Sequence, residues 1–189
     1  MATKHLPLFY KGAGIGTHWH LNDARTGGFK AVPTVGVHSV NAVRNHIANY
    51  SYPSPYLSVS TSFAVAREYA LHGGGVPPTP ANPGHVYEVN LANLPTLTVY
   101  SPLEILTGGC LGRGVVPHQH TGDWDLLLCL AGSTAHGGVL GISVYHPTSH
   151  VPPTYAPDVK PLATALRDAE MLVFDEIPAI CVTNRFDVY

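Results

Sequence analysis

Apolar and polar positions along this chain change phase every few residues, and glycine or proline closes almost every burst. Such punctuation predicts many short elements joined by turns. The pattern from Leu6 to Lys11 reads as a short strand running into the flexible stretch Gly12-Ala13-Gly14-Ile15-Gly16. Between Val37 and Asn49 the apolar residues Val37, Val40, Val43 and Ile47 fall at helical spacing, and Ser51-Tyr52-Pro53-Ser54-Pro55 stops that helix. Tyr56-Leu57-Ser58-Val59-Ser60 has the two-residue period of a strand. The run Ser62 to His72 that follows reads as a helix capped by Thr61 or Ser62. This strand, turn and capped helix form the sharpest local pattern in the chain.

Beyond it, Gly73 to Gly84 reads as a surface loop, and His85 to Asn90 and Thr96 to Tyr100 as strands. Asp123-Trp124-Asp125 followed by Leu126 to Ala131 predicts a short buried helix with an aspartate cap. A second Pro-rich loop spans His146 to Pro157, and Pro161 to Glu170 reads as a helical turn or an extended lead-in. Met171 to Phe174 and Ile180 to Val182 predict two closing strands around a turn at Ile177-Pro178. The sum is an α+β class dominated by short strands, with no internal repeat.

At 189 residues the chain has the length of a single domain, 1–189, and Met1 with no evident linker predicts a complete one. Apolar residues make up 45% and charged residues 12%, so the chain can fill a core and does not read as disordered. With a formal charge of -2 and no run of like charge, it lacks the footprint of an obligate nucleic-acid or membrane-surface binder. No apolar stretch approaches a membrane span, and the N-terminus has no signal-peptide core. Cys110, Cys129 and Cys181 have no paired spacing, which argues against a disulfide scaffold. The expectation is a cytoplasmic, soluble protein with no membrane partner, delivery into another cell being left open.

Three separated pieces carry candidate chemistry. Leu8-Phe9-Tyr10-Lys11-Gly12 is an aromatic-cation-glycine strand, with Gly28-Phe29 following it. Tyr56 to Ser60 continues into Thr61-Ser62-Phe63 and the helix carrying Tyr69. Asp168-Ala169-Glu170 precedes the apolar run Met171-Leu172-Val173. Singly, each has a plain structural reading: Ser60-Thr61-Ser62 as a strand end and helix cap, Glu170 as a solvated strand start, and Tyr10 and Tyr69 as core tyrosines. In this order they resemble the ADP-ribosyltransferase superfamily, in its toxin-like branch with Arg, Ser-Thr-Ser and Glu motifs.

The resemblance implies an ADP-ribosyltransferase-like split β-sheet core with short peripheral helices and NAD, as substrate, in the cleft. It implies a glycosyltransferase that moves ADP-ribose from NAD to a macromolecular acceptor, as a toxin or effector paired with an antitoxin or immunity protein. Breaking the nicotinamide–ribose bond develops oxocarbenium-like charge, which a fixed carboxylate stabilises. By resemblance Glu170 is that catalytic carboxylate and Ser60 steadies it. Tyr10, Lys11, Gly12, Ser60, Thr61, Ser62 and Tyr69 would contact NAD or support the motif, and Asp168 would face the acceptor.

Two positions depart from the family pattern. Lys11 stands where the family has Arg, and a point charge cannot copy the guanidinium fork. Either Lys11 does a weaker version of the job, Arg25 supplies the guanidinium, or the relative is divergent or inactive. Asp168 keeps a carboxylate where relatives carry Glu or Gln, but with a shorter reach. The acceptor is therefore open. Net charge favours a protein over nucleic acid, unless Arg25, Lys30 and Arg44 form a patch.

Histidine offers the rival reading. Among 12 histidines, His18-Trp19-His20 and His118-Gln119-His120 would each present two imidazoles on one face of a strand, with Asp23 and Asp123 nearby as further zinc ligands. A zinc-dependent hydrolase is thus one alternative, although such pairs arise readily at this histidine content and no metal site is expected. A non-catalytic NAD or ADP-ribose-binding module is the other. Gly12 to Gly16 lacks the Gly-Lys-Ser/Thr of a phosphate loop, and no Gly-x-Ser-x-Gly elbow is present.

Overall fold

A computed structural model of the chain describes residues 8–32, 37–49, 53–93, 99–102, 113–119, 125–133, 138–145, 165 and 168–189. Its elements, in chain order, begin with β1 (Phe9–Ala13), the one-turn helices α1 (His18–Leu21) and α2 (Ala24–Gly27), β2 (Phe29–Lys30) and α3 (Val40–Asn49). There follow β3 (Tyr56–Ser60), α4 (Phe63–His72), β4 (Gly84–Val89), β5 (Val99–Tyr100), β6 (Arg113–Gln119), β7 (Asp125–Ser133) and β8 (Gly138–Tyr145). The chain closes with β9 (Glu170–Phe174), β10 (Glu176–Ile177), a 3-10 turn at Ala179–Cys181 and β11 (Val182–Val188). Helices and mostly antiparallel sheet together make the fold α+β.

The contacts divide the chain into two compact units. The first, built from Met1–His38, Tyr52–Tyr100 and Asp168–Tyr189, holds a six-stranded antiparallel sheet in the order β11-β4-β1-β3-β9-β5. The second, Ser39–Ser51 and Ser101–Arg167, holds α3 and the antiparallel meander β6-β7-β8.

Within the first unit, alternation along the strands sends side chains to two faces of the sheet. Phe9, Leu57, Val59, Tyr87, Val89 and Val173 bury one face together with Phe29 of β2 and Ile177 of β10. On the other face, Ala66 and Ala70 of α4 pack on Val86 and Val188, with Tyr10 and Phe186 at the margin. Alanines at the contact let α4 come close, and Gly12 lets it come closer still. A Cβ at position 12 would collide with the Ala66 carbonyl oxygen.

The strand and helix expected around Ser60-Thr61-Ser62 match β3 and α4, and Ser62 is the cap, its hydroxyl accepting from the Val65 amide at 3.4 Å. Other expectations need correction. Gly12 and Ala13 belong to β1 because they pair with Val86 and His85, and the expected residues Leu6 and Pro7 lie outside the described part. The helix expected over Asp123 to Ala131 is strand β7, paired on both sides. A short leucine run has no period of its own that separates buried helix from buried strand, and two flanking strands decide it. Ile180 and Cys181 lie in the 3-10 turn, so the closing strand starts at Val182 and runs to Val188. The loop expected at His146 to Pro157, and the segment from Pro161 except Ala165 and Asp168 to Glu170, lie outside the described residues.

Candidate active site

Strand order brings the three pieces of the sequence pattern side by side. β3 lies between β1 and β9, with Tyr10 opposite Ser60 and Ser60 opposite Glu170. A residue near the start of the chain and one near its end are thereby two strands apart.

Ser60 is the hub of this arrangement. Its hydroxyl donates to the Asp168 carbonyl at 2.6 Å and accepts from the Ser62 amide at 3.0 Å. Next to it, the Thr61 amide donates to the Ala169 carbonyl at 3.0 Å. These bonds hold the turn that leads into Glu170, and Ala169 within that turn has φ 45°, a left-handed conformation that a residue with a Cβ adopts at a cost. Tyr69 reaches the same turn from α4, its hydroxyl donating to Asp168 Oδ2 at 2.6 Å.

Glu170 and Asp168 are each only 8% exposed. The Lys11 side chain is half-buried, and its Nζ donates to the Ser58 carbonyl at 2.8 Å and sits 5.9 Å from the centre of the Phe29 ring. Burial pushes the Lys11 ammonium down to about 8, partly opposed by the Glu170 carboxylate, which pulls it back up. The site is therefore a shielded carboxylate with an ammonium for a neighbour, and hydroxyls and amides holding the turn beneath it. Chemically, it can present a fixed negative charge to a developing cation.

The other candidate residues fall in varied surroundings. Tyr10 packs edge-on against Phe63 at 5.4 Å, which in turn meets Phe186, so its ring belongs to the α4 contact. Gly12 is the strand position that α4 presses on, which by itself accounts for the glycine. The Asp168 carboxylate, expected to face an acceptor, is buried and bound by Tyr69. Thr61 is exposed. Arg25 forms a salt bridge of 2.6 Å with Asp23, and Arg185 reaches the same carboxylate at 3.2 Å.

The histidine pair near the N-terminus needs a correction. His18 and His20 lie on the helix α1, not on a strand, so two residues apart they diverge instead of sharing a face. His18 sits edge-on to Trp19 and His20 stacks on His85 at 4.8 Å. Of the second pair, His118 falls in β6 and His120 outside the described residues, as does Asp123. Among the described residues there is no group of three or more His, Cys, Asp or Glu arranged to hold a metal ion. No helix of the described residues is long and apolar enough to cross a membrane.

Three features of the site had no sequence signal strong enough to find them. The Tyr69–Asp168 bond joins residues far apart in the chain, the Lys11 bond goes to a backbone carbonyl, and the left-handed alanine sits where glycine or asparagine would have advertised the turn. Comparison with family models, with curated proteins and with solved structures found no match.

Proposed function

We propose that this chain is an ADP-ribosyltransferase on a split-sheet core, moving ADP-ribose from NAD to a macromolecular acceptor. The observation that carries the reading is the adjacency of β1, β3 and β9, which puts Lys11, Ser60 and Glu170 within one neighbourhood.

In this reaction the bond between nicotinamide nitrogen and ribose carbon breaks and its electron pair leaves with nicotinamide. The positive charge left on the ribose is stabilised by the Glu170 carboxylate. The acceptor nucleophile then bonds to the ribose carbon and gives up its proton to solvent. Lys11, held by Ser58 and lying over Phe29, stands where the resembling family uses arginine and would meet the ribose or phosphates with a single charge. A protein is the favoured acceptor, and an immunity or antitoxin protein the favoured partner.

The test incubates wild type and Glu170→Gln with NAD labelled in its adenylate and with cell lysate, following nicotinamide release and label transfer. Release and transfer by wild type, reduced roughly 10²-fold or more in the folded variant, is the expected outcome. Equal turnover by both proteins overturns the assignment of Glu170. NAD binding without release by either would instead indicate a binding module, which the lysine at position 11 favours as a second reading.

A further inference from the structure

We propose that Tyr69 is a positioning residue that sets Glu170 by latching the turn before it; this rests on the transferase reading given above. Glu170 opens β9 immediately after Asp168 and Ala169, so whatever fixes those two residues fixes where its carboxylate starts. Four contacts act there. Ser60 Oγ holds the Asp168 carbonyl, and the Thr61 amide holds the Ala169 carbonyl with its hydroxyl 3.4 Å from the same oxygen. These come from the strand end itself. The fourth, from Tyr69 to Asp168 Oδ2, comes from a separate element, α4.

The need for an outside hold follows from Ala169. A left-handed alanine is held against its own preference, and its turn opens toward ordinary backbone angles if the surroundings do not over-determine it. Tyr69 is well placed to supply that restraint because α4 is itself clamped to β1 at Gly12 and capped by Ser62, two residues beyond Ser60. Strand β3, helix α4 and the turn thus form a closed loop of contacts: Ser60 to Asp168, Asp168 to Tyr69, and Tyr69 back along the helix to Ser62. Asp168 then plays a different part from that of an acceptor-facing carboxylate. It is the acceptor that Tyr69 needs, and an amide oxygen at that place serves as well.

The experiment measures nicotinamide release against NAD concentration for wild type, Tyr69→Phe, Asp168→Asn, Asp168→Ala and the double variant Tyr69→Phe/Asp168→Ala, with thermal melts as a check of folding. Tyr69→Phe keeps the ring and loses only the hydroxyl, so it is the variant least exposed to misfolding. The expected result is a fall in kcat of roughly 10²-fold for Tyr69→Phe with KM for NAD little changed, the signature of a displaced reacting group. Asp168→Ala falls as far, the double variant falls no further than either single one, and Asp168→Asn recovers most of the loss. Wild-type kinetics in Tyr69→Phe overturns the latch while leaving the transferase reading intact. A loss in Asp168→Asn equal to that in Asp168→Ala also overturns it, because the charge and not the bond would then matter. Absence of turnover in folded wild type overturns the reading and the latch together.

Discussion

At position 11 an amine sits where the cost of burial exceeds the pull of a neighbouring carboxylate, and its proton leaves near pH 8 instead of 10.5. In the unfolded chain the amine regains its ordinary affinity for the proton, so between these values the unfolded state binds more protons. The contribution of Lys11 to stability is therefore most favourable above about 10.5 and is lost as pH falls through about 8. Urea unfolding of wild type and Lys11→Met between pH 7 and 10.5 should show the wild type gaining on the variant as pH rises. A difference independent of pH would mean that Lys11 titrates normally. By resemblance Lys11 occupies the place of the family's arginine, a position that lies in β1, and the sequence says nothing of its depressed titration. The depression comes from desolvation on burial, partly opposed by Glu170, and only the folded chain imposes it.

Between elements, the contact that positions the site is that of α4 on β1 and β4. Gly12 and Gly84 both lie under α4, where an added Cβ would run into the carbonyl oxygens of Ala66 and Ala70 respectively. Gly12→Ala should destabilise the protein by about 1–3 kcal/mol, the usual penalty of overpacking, with a lower Tm as the readout. An unchanged Tm would show that α4 can lift from the strand at no cost. Since α4 also carries Tyr69, the same substitution should loosen the turn at Ala169. The sequence made β3 and α4 legible through a clean change of period from two to helical across Ser60-Thr61-Ser62, with a hydroxyl placed to cap the helix. It misled at β7, where Leu126 to Leu130 reads as a buried helix and pairs as a strand.

Over the whole first unit, the sheet is stitched from segments far apart in sequence: β4 with β11 and β3 with β9. β11 ends the sheet and contributes Phe186 and Val188 to the cluster under α4. A chain ending after Arg185 should lose Phe186 and Val188 from that cluster and about half of β11, leaving β4 as a partly unpaired edge. We expect loss of the cooperative thermal transition, checked by near-ultraviolet circular dichroism; a native-like melt would show that β11 is dispensable. Local chemistry along the chain was enough to determine the α+β class, the β3 to α4 unit, a helix cap at Thr61 or Ser62 and the three pieces that resemble a transferase, because period, caps and turns act over a few residues. Tertiary structure alone decided that Tyr10, Ser60 and Glu170 share adjacent strands, that Lys11 is half-buried near Glu170, that Asp168 is held by Tyr69, and that a leucine run becomes a strand. Each of these depends on which distant segment supplies a hydrogen-bonding partner or excludes water, and no local pattern encodes that choice.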